Sequence, residues 1–343
     1  MEALQIDGSF GEGGGQILRS AITLSCITKR PIQIDKIRYN RKIPGLRAQH
    51  LTTLNLLAKI CNAKTEGLHI GSTSIKFFPN EIQNARIQEN VGTAGSISLI
   101  LQAIIPVVSL AKKKLELSIT GGTDVPWSPT TNYTKYVLAE AYSRIGIDFL
   151  MKIQRRGYYP KGGGLVEITV FPCKRLSPLL LTKKSEKNAK IVCSYSNLNT
   201  SEISHIVGHI KNTLEKKEFS TQTEINEEKA IDKGAAMLIF SRDPNSIIGS
   251  DELFDKKSAE FGNKSASTFI GWNLGVDLHL SDMIVLPLSL TKDLSIFTVK
   301  EISKHLETNL YITSKITDCK YGIGKIEGGY EVRIEGNSDS CIQ

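Results

Sequence analysis

Cysteine is sparse in this chain of 343 residues, and its spacing carries no pattern. Cys26, Cys61, Cys173, Cys193, Cys319 and Cys341 are scattered without a CxxC pair. That excludes a disulfide scaffold, argues against a cysteine-based zinc site and fits a reducing compartment. Long apolar runs are also lacking. The longest, Ser96 to Ala111, is too short for a membrane span and contains Gln102 and Pro106, so it is expected to be a buried helix. The opening MEALQIDGSF has no basic segment followed by an apolar stretch, so no secretory signal is expected there. Neither a GxxxxGK[ST] phosphate loop nor a KxDG motif occurs. The expectation is a cytoplasmic protein with no membrane attachment.

What is present reads as an ordinary globular chain, 40% hydrophobic and 23% charged. At roughly 100–200 residues per domain, two or three domains are expected. The 43 Lys and Arg against 35 Asp and Glu leave a net charge of +8, compatible with a polyanionic partner or with a surplus of solubilising lysines. Three glycine-containing turns, GEGGGQ, VGTAGS and GGTDVPWSPT, each lead into a mainly apolar helical stretch. Period-two segments lie between them: PIQIDKIRYN, IKFFP, KKLELSIT and GLVEITVFP read as half-buried strands. The result is an α/β or α+β chain with internal repeats. Composition shifts near Leu181. From there run a Lys-rich stretch, a strand (IVCSYS), an amphipathic helix, a polar loop (STQTEINEEKAIDKG) and a strong strand (AAMLIFSR), read as an inserted small domain over 183–276. The larger domain then comprises 1–182 and 277–343.

Several segments bear on chemistry. In GSFGEGGGQILR the glycines let the backbone approach a ligand, and the helix that follows offers unpaired N–H groups to an anion. Gln16 and Arg19 lie three apart on one face of that helix, where Arg19 can point at a phosphate. The alternative is a tight strand-to-helix turn. IRYNRKIPGLRAQHL gathers Arg38, Arg41, Lys42, Arg47, Gln49 and His50, a phosphate-binding set or a solvated basic loop. His205 and His209 share a helix face, but no third ligand accompanies them, so they are read as exposed. In HLSDMIVLPLSL, Asp282 caps a helix, complements its dipole or contacts a ligand. In SIFTVKEISKHLETN the alternation favours a strand through 295–303 with His305 just past its end; a capping box of Thr298 with Glu301 is the other option.

Taken in order, GSFGEGGGQILR, IRYNRKIPGLRAQHL, NVGTAGSISLILQ, GGTDVPWSP, YYPKGGGLVEI, HLSDMIVLPL and KHLETN resemble the RNA 3′-terminal phosphate cyclases over almost the whole chain. The resemblance implies a large domain of repeated βα units, similar to the C-terminal domain of a translation initiation factor, with a smaller α/β insert. It implies ATP-dependent conversion of an RNA 3′-phosphate end to a 2′,3′-cyclic phosphate. AMP passes from ATP to a histidine, then to the RNA phosphate, and leaves when the 2′-hydroxyl closes the ring. By position the adenylated histidine is His305. Glu12 would hold Mg²⁺ against the ATP phosphates. Arg19, Arg38, Arg41 and Gln49 would contact the RNA 3′-phosphate or the triphosphate. Gln16, Gln102, Pro129, Leu278, His279, Leu280, Ser281 and Asp282 would form the nucleotide pocket. The partners implied are ATP and 3′-phosphorylated RNA, and a homodimer is compatible with the resemblance.

Two departures stand out. The stretch from Gly262 to Asp282 is shorter than the family's usual helix there, which leaves both Phe254 and Phe261 as candidates to stack on adenine. His279 stands where the family often has an aromatic residue. The main rival is a non-catalytic sister group active in ribosome assembly, which lacks the histidine; retention of His305 with Glu12 and the arginines opposes it. An enolpyruvyl transferase shares only the repeated βα unit.

Overall fold

The structure is a computed structural model and describes residues 2–255 and 260–338. The chain starts with β1 (Leu4–Asp7), α1 (Gln16–Thr28), β2 (Ile32–Asp35), α2 (Ala48–Ile60), β3 (Lys64–Glu66) and β4 (Ile75–Phe78). It continues with β5 (Ala85–Asn90), α3 (Ile97–Leu110), β6 (Leu115–Gly121) and α4 (Thr131–Tyr133). A π-helical turn over Thr134–Leu138 carries α4 into α5 (Ala139–Ile145), followed by β7 (Phe149–Arg155) and β8 (Gly164–Val170). After β9 (Leu180–Leu181) come β10 (Asn188–Ser196), α6 (Thr200–Glu215), β11 (Ser220–Glu227), β12 (Gly234–Asp243), β13 (Ser246–Leu253) and α7 (Asn263–Ile270). The remainder is α8 (Leu278–Met283), α9 (Val285–Leu288), β14 (Leu294–Val299), α10 (Lys304–Thr317), β15 (Lys320–Ile326) and β16 (Gly329–Glu335).

Three of the four sheets repeat one topology. Strand orders are β1-β2-β4-β3, β5-β6-β8-β7 and β9-β14-β16-β15. In each, the first two strands run parallel across a helix, and the last two return antiparallel. The molecule is therefore an α/β protein of repeated units. The fourth sheet, β11-β10-β12-β13, follows another order and sits in the chain between β9 and β14, inside the third unit.

The helices, not the sheets, position the site. Residues 16–27 of α1 are all buried, because α1 packs against α2, α3 and α10. The apolar run forms α3, capped by Ser96, whose Oγ accepts from Leu99 N. Its apolar residues point in every direction, as burial on all sides requires. Among the described residues no helix is long and apolar enough to cross a membrane. The five described cysteines are free and buried; Cys341 lies outside the described residues.

Four local expectations fail. The polar segment around STQTEINEE is not a loop but strand β11, paired in parallel with β10. It is an edge strand with both faces largely in water, so its polar character hides an extended backbone. β2 stops at Asp35, and IRYN forms turns instead. β14 ends at Val299 and not Ser303, so His305 does not trail a strand; it lies in the first turn of α10. Thr298 and Glu301 cap nothing: Ser303 is the N-cap, its Oγ accepting from Leu306 N at 3.1 Å. The alternation up to Val299 was real, but a serine cap ended it.

Candidate active site

The glycine cluster fills the gap between α10 and α2. Gly11 has φ +65°, and a Cβ there would overlap Thr308 Oγ1. A Cβ on Gly15 would overlap His50 Nε2. Only glycine lets this loop pass so close to both helices. Gly15 begins α1 with no side-chain cap and no acidic residue in the first turn, which leaves its N–H groups open to an anion. Glu12 pairs with the Arg41 guanidinium, and its carboxylate lies 3.1 Å from His305 Nδ1, though out of line for a hydrogen bond.

The His305 side chain is 45% exposed. Partial burial, then the charges of Arg19, His279 and Arg41, lower its pKa to about 4. The imidazole is thus neutral at pH 7 with a free nitrogen lone pair, which is what a nucleophile needs. Beneath it runs a buried polar chain. Arg19 donates to Gln16 Oε1 at 2.6 Å, and Gln16 donates to Asn309 Oδ1 at 3.2 Å. Ser20 donates to the same oxygen at 2.7 Å, and Asn309 Nδ2 reaches the Asp282 carbonyl at 2.8 Å. Arg19 is held down to about 10 by burial, against the pull of Asp282. Its buried Nε has no hydrogen-bond partner among the described residues. Burial pushes Asp282 up to about 7, resisted by His279, Arg19 and a hydrogen bond from Gln102. Gln16, Arg19, Gln102, Asp282 and Asn309 line a cavity of about 10 Å³, room for one water at most.

The basic segment is a solvent-exposed loop, but one held in shape by its own hydrogen bonds. Arg38 donates to the carbonyls of Ile43 (3.0 Å) and Gly45 (2.9 Å) and so shapes the loop that presents Arg41. His50 accepts the Arg47 N–H at Nδ1 and is buried. Burial and the charges of Arg19, Arg38, Arg47 and Arg41 drive its pKa to about 3. Four guanidinium groups therefore act on one spot beside the glycine cluster. Gln49 accepts from Ser96 N at 3.1 Å and ties α2 to the start of α3.

Residues 278–282 lie in α8, but Asp282 does not cap it. The cap is Asp277, which accepts from His279 N (2.9 Å), Leu280 N (3.0 Å), Gly249 N (2.7 Å) and Tyr133 Oη (2.7 Å). Asp282 lies buried near the C-terminal end of the helix. Leu280 and Ser281 turn into the core, and Pro129 is also buried, so His279 and Leu278 are the accessible members of this set. The His279 ring meets the edge of Tyr133 at 5.9 Å. Phe261 is 1% exposed and packs edge-to-face on Phe254 at 5.6 Å. Phe254 N bonds to Ala235 at the start of β12; Phe261 belongs to the core and has no face free for a base, while Phe254 is partly exposed and packs against that core. His205 and His209 are exposed on α6, as read. Among the described residues no group of three His, Cys, Asp or Glu side chains is arranged to hold a metal.

Sequence reasoning missed two anchors. Asp277 carried a signal, an aspartate just before a helical run. Arg156 carried none. It is fully buried and bonds Glu228, Asp124, Thr131, Asn132 and Ser194, tying the end of β7 to β10 and the segment after β11.

Comparison with known proteins bears on this arrangement. Residues 10–323 match the family model described as RNA 3′-terminal phosphate cyclase. A protein of that name from Methanococcoides burtonii is 37% identical over 337 residues, covering 97% of this chain and all of the relative. One from Methanosarcina barkeri is 38% identical, covering 96% of this chain and 99% of the relative. One from Pyrococcus abyssi is 37% identical, covering 94% and 96%.

Proposed function

Because the chain belongs to the RNA 3′-terminal phosphate cyclase family, we propose that it closes RNA 3′-phosphate ends to 2′,3′-cyclic phosphates through an AMP adduct on His305. The observation that carries this reading is the neutral, half-exposed imidazole of His305 in the first turn of α10, beside Glu12 and facing Arg19 and Arg41. With its proton on Nδ1, the nitrogen 3.1 Å from the Glu12 carboxylate, His305 has an Nε2 lone pair free for the α-phosphorus of ATP. The N–P bond forms as the bond to pyrophosphate breaks. The adduct makes the imidazole cationic, and the Glu12 carboxylate stabilises that charge. An RNA 3′-phosphate oxygen then displaces the imidazole, and the RNA 2′-hydroxyl expels AMP.

Glu12 is also the residue that would hold Mg²⁺. A lone carboxylate fits a cation that takes most of its other ligands from phosphate and water. The metal would neutralise the departing pyrophosphate. The unpartnered Arg19 Nε and the Arg41 guanidinium suit the phosphates. Arg38 and Gln49 serve that contact through the loop and helix end they hold. ATP would lie against α8, with Leu278 and His279 offered to it and Gln16, Gln102 and Asp282 underneath. The same reading divides the chain into 1–182 with 277–343 and an inserted 183–276, supported by the fourth sheet's position inside the third unit.

The test is incubation with α-labelled ATP. Acid-labile, base-stable label on the protein, absent in His305→Ala, is expected. Label retained by that variant overturns the assignment, and so does wild-type protein that makes cyclic ends without ever carrying label.

A further inference from the structure

Trp127 has no part in the reaction just described, yet its placement is unusual. Its side chain is 91% exposed, and its φ is +64°, a region that bulky residues rarely occupy. The loop is not slack. Ser128 Oγ donates to Val125 O at 3.1 Å, Thr130 N to Asp251 at 2.7 Å and Thr131 N to Asp124 at 3.2 Å. Strained backbone persists where its surroundings fix it, and such sites gather where ligands are held.

A continuous rim leads from the basic loop to this residue. Gln49 takes Ser96 N, and a Cβ on Gly95 would come within 2.8 Å of Gln49 Cβ. Gly122 N donates to Gly95 O at 2.9 Å. A Cβ on Gly162 would come within 2.7 Å of Ala94 Cα, and Asp124 bridges Tyr158. The segments around 94, 124 and 160 are therefore welded together. On the last of them Tyr159 is 61% exposed. Two aromatic side chains thus face solvent from adjoining loops of a rim that begins at Gln49.

We propose that Trp127, with Tyr159 on the adjoining loop, stacks on bases of the single-stranded RNA that leads away from the 3′-phosphate. The inference rests on the proposed function for the position of that phosphate. Aromatic side chains on separate loops suit successive bases, because every base has a π-face and stacking tolerates any sequence. The adenine of ATP, a single base, is the competing occupant that the test separates.

The chain has two tryptophans. Trp272 is buried and donates Nε1 to Val276 O at 2.6 Å, so Trp127 is the emitter open to solvent. A single-stranded oligonucleotide with a 3′-phosphate, added without ATP, should quench emission and shield it from acrylamide. Trp127→Ala should abolish the quenching and weaken RNA affinity about tenfold by fluorescence anisotropy, whereas Trp127→Phe should retain most of it. Protection from acrylamide in the wild type decides the matter even if Trp127→Ala folds poorly. Quenching by ATP but not by RNA overturns the proposal. So does a folded Trp127→Ala that keeps full RNA affinity, or one that loses ATP labelling as severely as RNA binding. Since binding is read without ATP, a protein that binds and quenches yet makes no cyclic ends would defeat the cyclase reading and leave this inference standing.

Discussion

At the scale of single residues, protonation governs His305. Its pKa is lowered to about 4, so the imidazole is neutral above that value and loses its lone pair to a proton below it. Self-adenylation should therefore stay level from pH 8 to about 5.5 and fall toward pH 4, where an unperturbed histidine would already decline near 6.5. Single-turnover labelling across that range checks it; a midpoint near 6.5 would show that neither partial burial nor the charges of Arg19, His279 and Arg41 bear on the ring. Arg156 makes a second expectation. Burial disfavours its charge, but Asp124 and Glu228 more than offset this and hold it protonated. Asp124 has no exposed side-chain surface, so Arg156→Met would leave a carboxylate buried and unpaired. A loss of about 3–5 kcal/mol is expected in a denaturant melt. A loss under about 1 kcal/mol would mean that water replaces the guanidinium.

At the scale of elements, the first turn of α10 places the nucleophile. Ser303→Ala removes the acceptor for Leu306 N and should cost about 1 kcal/mol. Fraying there would also move His305, so labelling should slow by more than the stability loss alone implies. A variant that melts lower but labels at the wild-type rate would separate cap from site. The same helix shows what sequence can and cannot disclose. Glycine turns before apolar stretches disclosed α1, α3 and the helical run from α4 to α5, since backbone freedom and periodicity are local properties. The end of β14 was not legible, because three residues decide whether alternation continues or a serine caps a helix. β11 was illegible for a different reason: an edge strand in water has no apolar face to betray it. Of the site, the charged and glycine-rich residues were visible as types. Their partners were not. That Arg38 clasps its own loop, and that Asp277 and not Asp282 caps α8, depend on neighbours remote in sequence.

At the scale of the whole molecule, three copies of one βα topology pack their helices together, and the fourth sheet interrupts the last copy. The contact between Leu179 N and Ser295 Oγ joins residues 116 apart. For a flexible chain, closing so long a loop is entropically costly. Yet the fourth sheet's own ends already meet: Lys183 bridges Leu274, and Lys184 N donates to Asn273 O at 3.1 Å. Once folded, this unit shortens the effective loop to about 25 residues, a saving of roughly 1.4 kcal/mol in closure entropy. The interruption thus acts as a staple whose closing lowers the cost of forming the third copy, and α10, with His305, belongs to that copy. Competence for adenylation should be the last thing a refolding chain acquires. Trp272, at the mouth of the staple, reports its closing. In stopped-flow refolding its burial should precede recovery of ATP labelling, and the reverse order would show that the third copy assembles across an open loop.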